Sequence, residues 1–133
     1  MAEHPNVSVV RRFYQAFISR DTARLYQLAG ESMEFHVAGR SAFAGVHRGR
    51  DQILKLFRET GEVTEHSVHI ELHALLGGGD HVVGLHHITA RRPGRPMLDQ
   101  SGCLVCHVDG AVLTDAWLSF EDLRAADAFW SER

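Results

Sequence analysis

Three turn signals cut the second half of this 133-residue chain into segments that alternate apolar and polar residues. Gly77-Gly78-Gly79-Asp80, Arg92-Pro93-Gly94-Arg95 and Asp109-Gly110 are built from residues that accept or impose turn geometry. Between them, residues 67–76, 81–91, 97–108 and 111–119 read as four consecutive strands, the last two a hairpin about Asp109-Gly110. A meander of this kind buries one face and needs a second layer to cover it.

The first half supplies that layer. Val9, Val10, Phe13, Tyr14, Phe17 and Ile18 recur at helical spacing behind Asn6, a residue type suited to an N-cap, which predicts a helix over 7–19. Asp21 caps a second short helix through Leu25 and Leu28, ended by Gly30. Residues 33–37 read as a short strand and 38–49 as a glycine-punctuated loop. Asp51 then opens a third helix carrying Ile53, Leu54 and Phe57, and residues 121–130 close the chain as a short helix. The order predicts one α+β domain over residues 1–133, a curved antiparallel sheet of four main strands covered on one side by three N-terminal helices.

Several function classes fall away at this point. A net charge of −3 gives no basic footprint for nucleic acid. No apolar window reaches membrane-spanning length, and the opening Met1-Ala2-Glu3-His4-Pro5 lacks the apolar stretch of a leader, so a cytoplasmic protein is expected. Cys103 and Cys106 have the C-x-x-C spacing of zinc and redox sites. They sit, however, in a β-branched run, where residues three apart point to opposite faces. They read as two small buried residues, and no metal or other cofactor is expected. The ten histidines are scattered and read mostly as surface or strand-edge residues.

The run Val10-Arg11-Arg12-Phe13-Tyr14-Gln15-Ala16-Phe17 followed by Asp21 comes first in a series of loose motifs. Phe35-His36-Val37-Ala38-Gly39-Arg40 to Gly45, Arg48-Gly49-Arg50-Asp51-Gln52-Ile53 and Val108-Asp109-Gly110-Ala111-Val112 follow in order. In that order and spacing the chain resembles the SnoaL-like branch of the nuclear-transport-factor-2-like superfamily over nearly its full length. The resemblance implies a cone whose helices and concave sheet face enclose a cavity for a hydrophobic small molecule. It also implies an outer sheet face that packs against a partner. Val112, Thr114, Ala116 and Leu118, taken as that outer face, predict a homodimer.

Within such a cone, alternation says which residues point together. A bulged turn at Gly110 sets Cys103 opposite Asp115 and Ser101 opposite Trp117. Asp99, Ser101, Cys103, Val105, Asp115 and Trp117 then share the cavity face, with His86 pointing the same way. A two-residue turn would instead pair Asp115 with Leu104. Set beside the ketosteroid isomerases of the superfamily, His36 falls at the base, Cys103 at the acid that donates to the oxyanion, and Phe13 or Tyr14 near the tyrosine. With neither carboxylate in place, steroid isomerisation by that mechanism is not expected. The polyketide cyclases use an acid on the last long strand, where Asp115 is the counterpart.

These readings make Asp115 and His36 the candidate proton movers. Tyr14, Phe57, His86, Asp99, Ser101, Cys103 and Trp117 become candidates for binding the substrate. Plainer readings stand beside them: Asp115 on the solvent face under another register, His36 bonded to the glycine loop, Trp117 in the core, Asp99 and Ser101 on a dimer face. Two functions are open. One is a cofactor-independent acid–base enzyme of isomerase, cyclase or dehydratase type acting on a hydrophobic carbonyl or polyketide-like compound. The other is a binding or scaffold domain without turnover.

Overall fold

The computed structural model describes residues 3–132; Met1, Ala2 and Arg133 lie outside the described residues, and with them the first two positions of the opening segment. Helices α1 (Pro5–Ser19) and α2 (Thr22–Leu28) lead into strands β1 (Ala29–Val37) and β2 (Gly45–Arg48). Helix α3 (Arg50–Val63) precedes β3 (His69–Gly78), β4 (His81–Ala90), β5 (Leu98–Asp109) and β6 (Val112–Phe120), and α4 (Leu123–Trp130) closes the chain. The six strands form one curved sheet in the order β2-β1-β6-β5-β4-β3. The α+β class and the helix-covered sheet are as expected from the periodicities.

Helix α1 presents Val9, Val10, Phe13, Tyr14 and Ala16 to the sheet, all buried against Phe35, Val82, Leu104, Cys106, Leu113 and Ala116. Those partners sit at alternate positions of β1, β4, β5 and β6, so they mark the concave face. Helix α3 adds Ile53 and Leu56 to the same core. No helix among the described residues is long and apolar enough to cross a membrane.

The structure corrects the sequence expectations in several places. The β1–β6 pair is parallel, Phe35 beside Ala116 and His36 beside Trp117, so the sheet is antiparallel everywhere except at this seam. Strand β2, expected as loop, pairs antiparallel with β1; three of its four residues are exposed, so it carries no alternation to read. Helix α1 starts at Pro5 with His4 as its cap, the His4 Nδ1 accepting from the Asn6 N–H at 3.1 Å. Proline fits the first helical position because its missing N–H would be unpaired there. Gly30 ends no helix; it lies inside β1, against the Leu113 carbonyl.

The β5–β6 hairpin turns on two residues, Gly110 and Ala111, with φ of 60° and 68° and Asp109 paired to Val112. The bulge lies further along. Val108 pairs with Leu113 but His107 pairs with Asp115, so Thr114 is the extra residue of β6.

A second apolar cluster joins Ile88, Ala90 and Leu98 to Ala126, Phe129 and Trp130 of α4. Polar contacts fix that helix at both ends. The buried Gln100 amide donates to the Asp122 carbonyl and accepts from the Asp122 N–H, each at 3.1 Å, while Asp122 caps the helix through the Ala125 N–H at 3.0 Å. At the other end, Arg92 Nη1 donates to the Phe129 and Ser131 carbonyls at 2.7 and 2.8 Å, and Arg95 Nη1 does the same at 2.8 and 2.6 Å.

Candidate functional site

Between α1, α3, α4 and the concave face lies a cavity of about 110 Å³ whose walls are mostly aromatic and aliphatic. Phe57 organises one part of it, meeting Phe13, Phe17 and Phe35 edge-on at centroid distances of 6.3, 5.1 and 5.4 Å. Phe43, from the loop before β2, meets Trp130 of α4 at 5.7 Å.

Four polar side chains line this cavity: Tyr14, Ser41, Thr60 and His86. Thr60 turns its hydroxyl back to the Leu56 carbonyl at 3.0 Å, and Ser41 Oγ accepts from the Phe43 N–H at 3.3 Å. The remaining two face each other across the cavity wall, Tyr14 Oη lying 2.7 Å from His86 Nδ1. His86 is 4% exposed and Tyr14 5%.

The sheet makes room for this pair. His86 pairs across the strands with Gly102, and a methyl group at 102 would stand 3.1 Å from His86 Nε2. Gly84, two residues before His86 and on the same face of β4, lies under the Tyr14 ring. Larger residues at either position would displace the dyad.

Burial also sets its chemistry. Desolvation raises the Tyr14 pKa far above the ordinary phenol value, with lesser contributions from Cys106 and Cys103. Desolvation lowers His86 to about 4, with His73 and His87 adding to the effect. Both groups are therefore neutral near pH 7. A neutral pair has two arrangements. Either the phenol donates to Nδ1 and leaves Nε2–H, or Nδ1–H donates to the phenol and leaves its O–H. Each leaves one donor for a ligand, and neither makes a strong base.

Tyr14, Phe57 and His86 line the cavity as candidates for binding; the other six candidates lie on the convex face. Alternation groups Asp99, Ser101, Cys103, Asp115 and Trp117 together, as expected, but the helices cover the opposite set. That set includes Gln100, Leu104, Cys106 and Val108, all buried. The expectation that Asp115 points into the cavity is therefore corrected, and so is the shared direction of His86 and Ser101, because His86 pairs with Gly102. The composition expected of the outer face changes too: Ala116 is buried in the core and Leu118 lines the cavity.

The displaced residues form two groups of their own. His87 Nε2 is hydrogen-bonded to Asp99, with Ser101 Oγ 3.4 Å from its Nδ1. On the neighbouring seam His36 stacks on Trp117 at 5.1 Å and 13°, beside Glu34 and Asp115. Cys103 lies on the convex face opposite Leu85 and Ser119, while Cys106 is fully buried in the core. Sequence reasoning missed Ser41, Phe43, Phe120 and Trp130 as cavity residues. The signal for Trp130 was present in the apolar spacing of the last helix, with Ala126, Phe129 and Trp130 on its buried side.

Comparison with known proteins gives a consistent picture. A family model described as the SnoaL-like domain matches residues 10–116. An uncharacterised protein of Mycobacterium tuberculosis is 29% identical over 132 residues, covering 98% of this chain and 100% of its own length. Bal32a, from a soil-derived mobile gene cassette, superposes with a TM-score of 0.90 at 37% identity, over 95% of this chain and 96% of that one. A Xanthomonas campestris protein of unknown function with a cystatin-like fold also reaches 0.90, at 21% identity over 96% and 98% of the two chains. That last likeness is one of fold alone.

Proposed function

The chain belongs to the SnoaL-like domain family, and on that premise we propose that it holds a compact hydrophobic molecule bearing a carbonyl or similar acceptor in its aromatic cavity. The observation that carries this reading is the neutral Tyr14–His86 pair, a buried hydrogen-bond donor that, apart from the Ser41 and Thr60 hydroxyls, has only apolar walls around it. An acceptor on the ligand satisfies that donor, and the aromatic walls bury the rest. Size narrows the class further. A cavity of about 110 Å³ is somewhat smaller than the roughly 150 Å³ engineered cavity that admits benzene. A single ring suits it. A longer ligand would have to move the wall formed by Phe17, Phe57, Thr60, Val68 and Ile70, which also borders an outer groove of about 970 Å³.

An acid–base enzyme of isomerase, cyclase or dehydratase type is the second reading. What favours it is the same donor, because a fixed hydrogen bond in apolar surroundings strengthens as charge develops on a carbonyl oxygen. Among the described residues no carboxylate lines the cavity, and His86, lowered to about 4, is a weak base. Binding is thus the better supported of the two.

The test is a thermal-shift panel of monocyclic ketones, quinones and phenols against hydrocarbons of matched shape. The carbonyl compounds should stabilise the protein more than the hydrocarbons, and the double variant Tyr14→Phe/His86→Phe, which removes both donors of the pair, should erase the difference. Equal stabilisation by both sets in the wild type would sink the proposal.

A homodimer through the convex face goes with this reading. Leu85 and Trp117 are 39% and 37% exposed there, with Cys103 and Val105 half-buried between them. Light scattering should give twice the chain mass, and Trp117→Asp or Leu85→Asp should return it to the single-chain value. A single-chain mass for the wild type would refute the dimer.

A further inference from the structure

We propose that Glu34, His36 and Asp115 bind one divalent transition-metal ion of the zinc class on the convex face, at the parallel seam between β1 and β6. The seam itself creates the juxtaposition. Glu34 and His36 are two residues apart and so share a face of β1, and the parallel register sets Asp115 directly beside Glu34. One donor atom from each residue lies within 4.8 Å of the others.

The side chains around them fit ligation. His36 Nε2 is buried and makes no hydrogen bond to the described residues; Glu34 Oε1 is 3.5 Å away. A buried imidazole nitrogen that faces a carboxylate oxygen at 3.5 Å without hydrogen-bonding to it is costly, and a metal ion between the two would relieve it. Each carboxylate has one oxygen held from outside and one free. Arg48 Nε donates to Glu34 Oε2 at 3.0 Å, leaving Oε1 toward His36. The Thr114 hydroxyl, supplied by the β6 bulge, lies 3.2 Å from Asp115 Oδ2, leaving Oδ1. Trp117, stacked flat on His36, fixes the plane of the ring. Outer partners of this kind orient metal ligands in built sites.

The donor set narrows the ion. One imidazole and two carboxylates suit zinc, cobalt, nickel or manganese better than magnesium, which prefers oxygen alone, or monovalent copper, which prefers sulfur. Two carboxylates balance a divalent charge, and water completes the shell. Tetrahedral donors about 2.1 Å from zinc stand roughly 3.5 Å apart, so the site closes by small side-chain rotations.

Zinc titrated calorimetrically into untagged, chelator-treated protein near neutral pH should bind at one equivalent. His36→Gln and Asp115→Asn should each weaken that binding at least tenfold while circular dichroism shows the fold retained. His81→Gln removes a separate histidine–carboxylate contact, His81 Nδ1 to Asp80 Oδ1 at 3.1 Å, and should leave the affinity unchanged. Cobalt in place of zinc gives a second readout, a visible spectrum that both seam variants should lose. Should His36→Gln misfold, Asp115→Asn at its half-exposed position carries the test. Wild-type protein that takes up no zinc would overturn the site, as would uptake abolished by His81→Gln and kept by the seam variants.

Discussion

Gly84 lies beneath the phenol of Tyr14, so close that a methyl group at that position would stand 2.6 Å from the ring carbon Cε2. A strand glycine ordinarily weakens a sheet; here the missing side chain is what lets the tyrosine reach His86. Gly84→Ala should push the ring off the histidine and cost about 1–3 kcal/mol in urea unfolding. It should also remove any preference for carbonyl ligands over hydrocarbons. A variant of wild-type stability that kept the preference would contradict the packing described.

Tyr14→Phe keeps the shape of the ring and deletes only the hydroxyl. His86 Nδ1 then loses its partner among the described residues in a buried setting, at a cost of about 1–3 kcal/mol. Denaturant unfolding measures the cost, and nitrogen NMR of the imidazole should report an altered tautomer balance. Unchanged stability together with an unchanged imidazole spectrum would mean that the hydrogen bond carries no weight.

Acid should destabilise the fold through His86. The unfolded chain protonates this histidine as pH falls below about 6.5, the folded chain only near 4, so in that window the unfolded state binds more protons. Stability contributed by the neutral imidazole is complete above pH 6.5 and is lost on descending to about 4. The loss has an upper bound of about 3.5 kcal/mol. Comparing pH-dependent unfolding of wild type and His86→Gln isolates the contribution, and the two curves should converge toward pH 4. Parallel curves between pH 6.5 and 4 would refute it.

Asp115→Asn should leave ligand affinity in the cavity within about twofold of wild type, because the carboxylate sits on the opposite face of the sheet. Calorimetry with any compound found in the ligand panel measures this. A loss of a hundredfold or more would return Asp115 to the chemistry of the cavity.

Periodicity was enough for most of the architecture, since α1 and α3 each announce their buried face and strands β3 to β6 announce themselves by alternation. Strand β2 was not readable because its residues are mostly exposed, and the parallel seam was not because a pairing between residues so distant leaves no local mark. The site was divided along one physical line. Alternation sorts β4 and β5 into two sets but does not say which set the helices cover. The deciding clue was in the residues themselves. One set holds Val82, Gly84, Ile88, Leu104, Cys106 and Val108 with His86 and Gln100; the other holds His81, His87, Asp99, Ser101 and His107 beside Val83, Leu85, Cys103 and Val105, and is the more polar of the two. The apolar set, with its glycines, was the one able to face a packed helix, and it carries His86 with it.

The parallel seam bears on how the chain acquires its structure in time. Strand β1 is complete early in the sequence, yet its inner neighbour β6 is the last strand made. Until residues 112–120 are available, β1 and β2 can form only an isolated two-stranded ribbon, which is marginal in water. Closure of so long a loop is entropically late, so Phe35 and Val37 reach their final places in the cavity wall only when the C-terminal part docks. During synthesis the nascent chain therefore carries an unpaired β1 edge until β6 emerges, an opportunity for chaperone capture and for strand exchange between neighbouring chains.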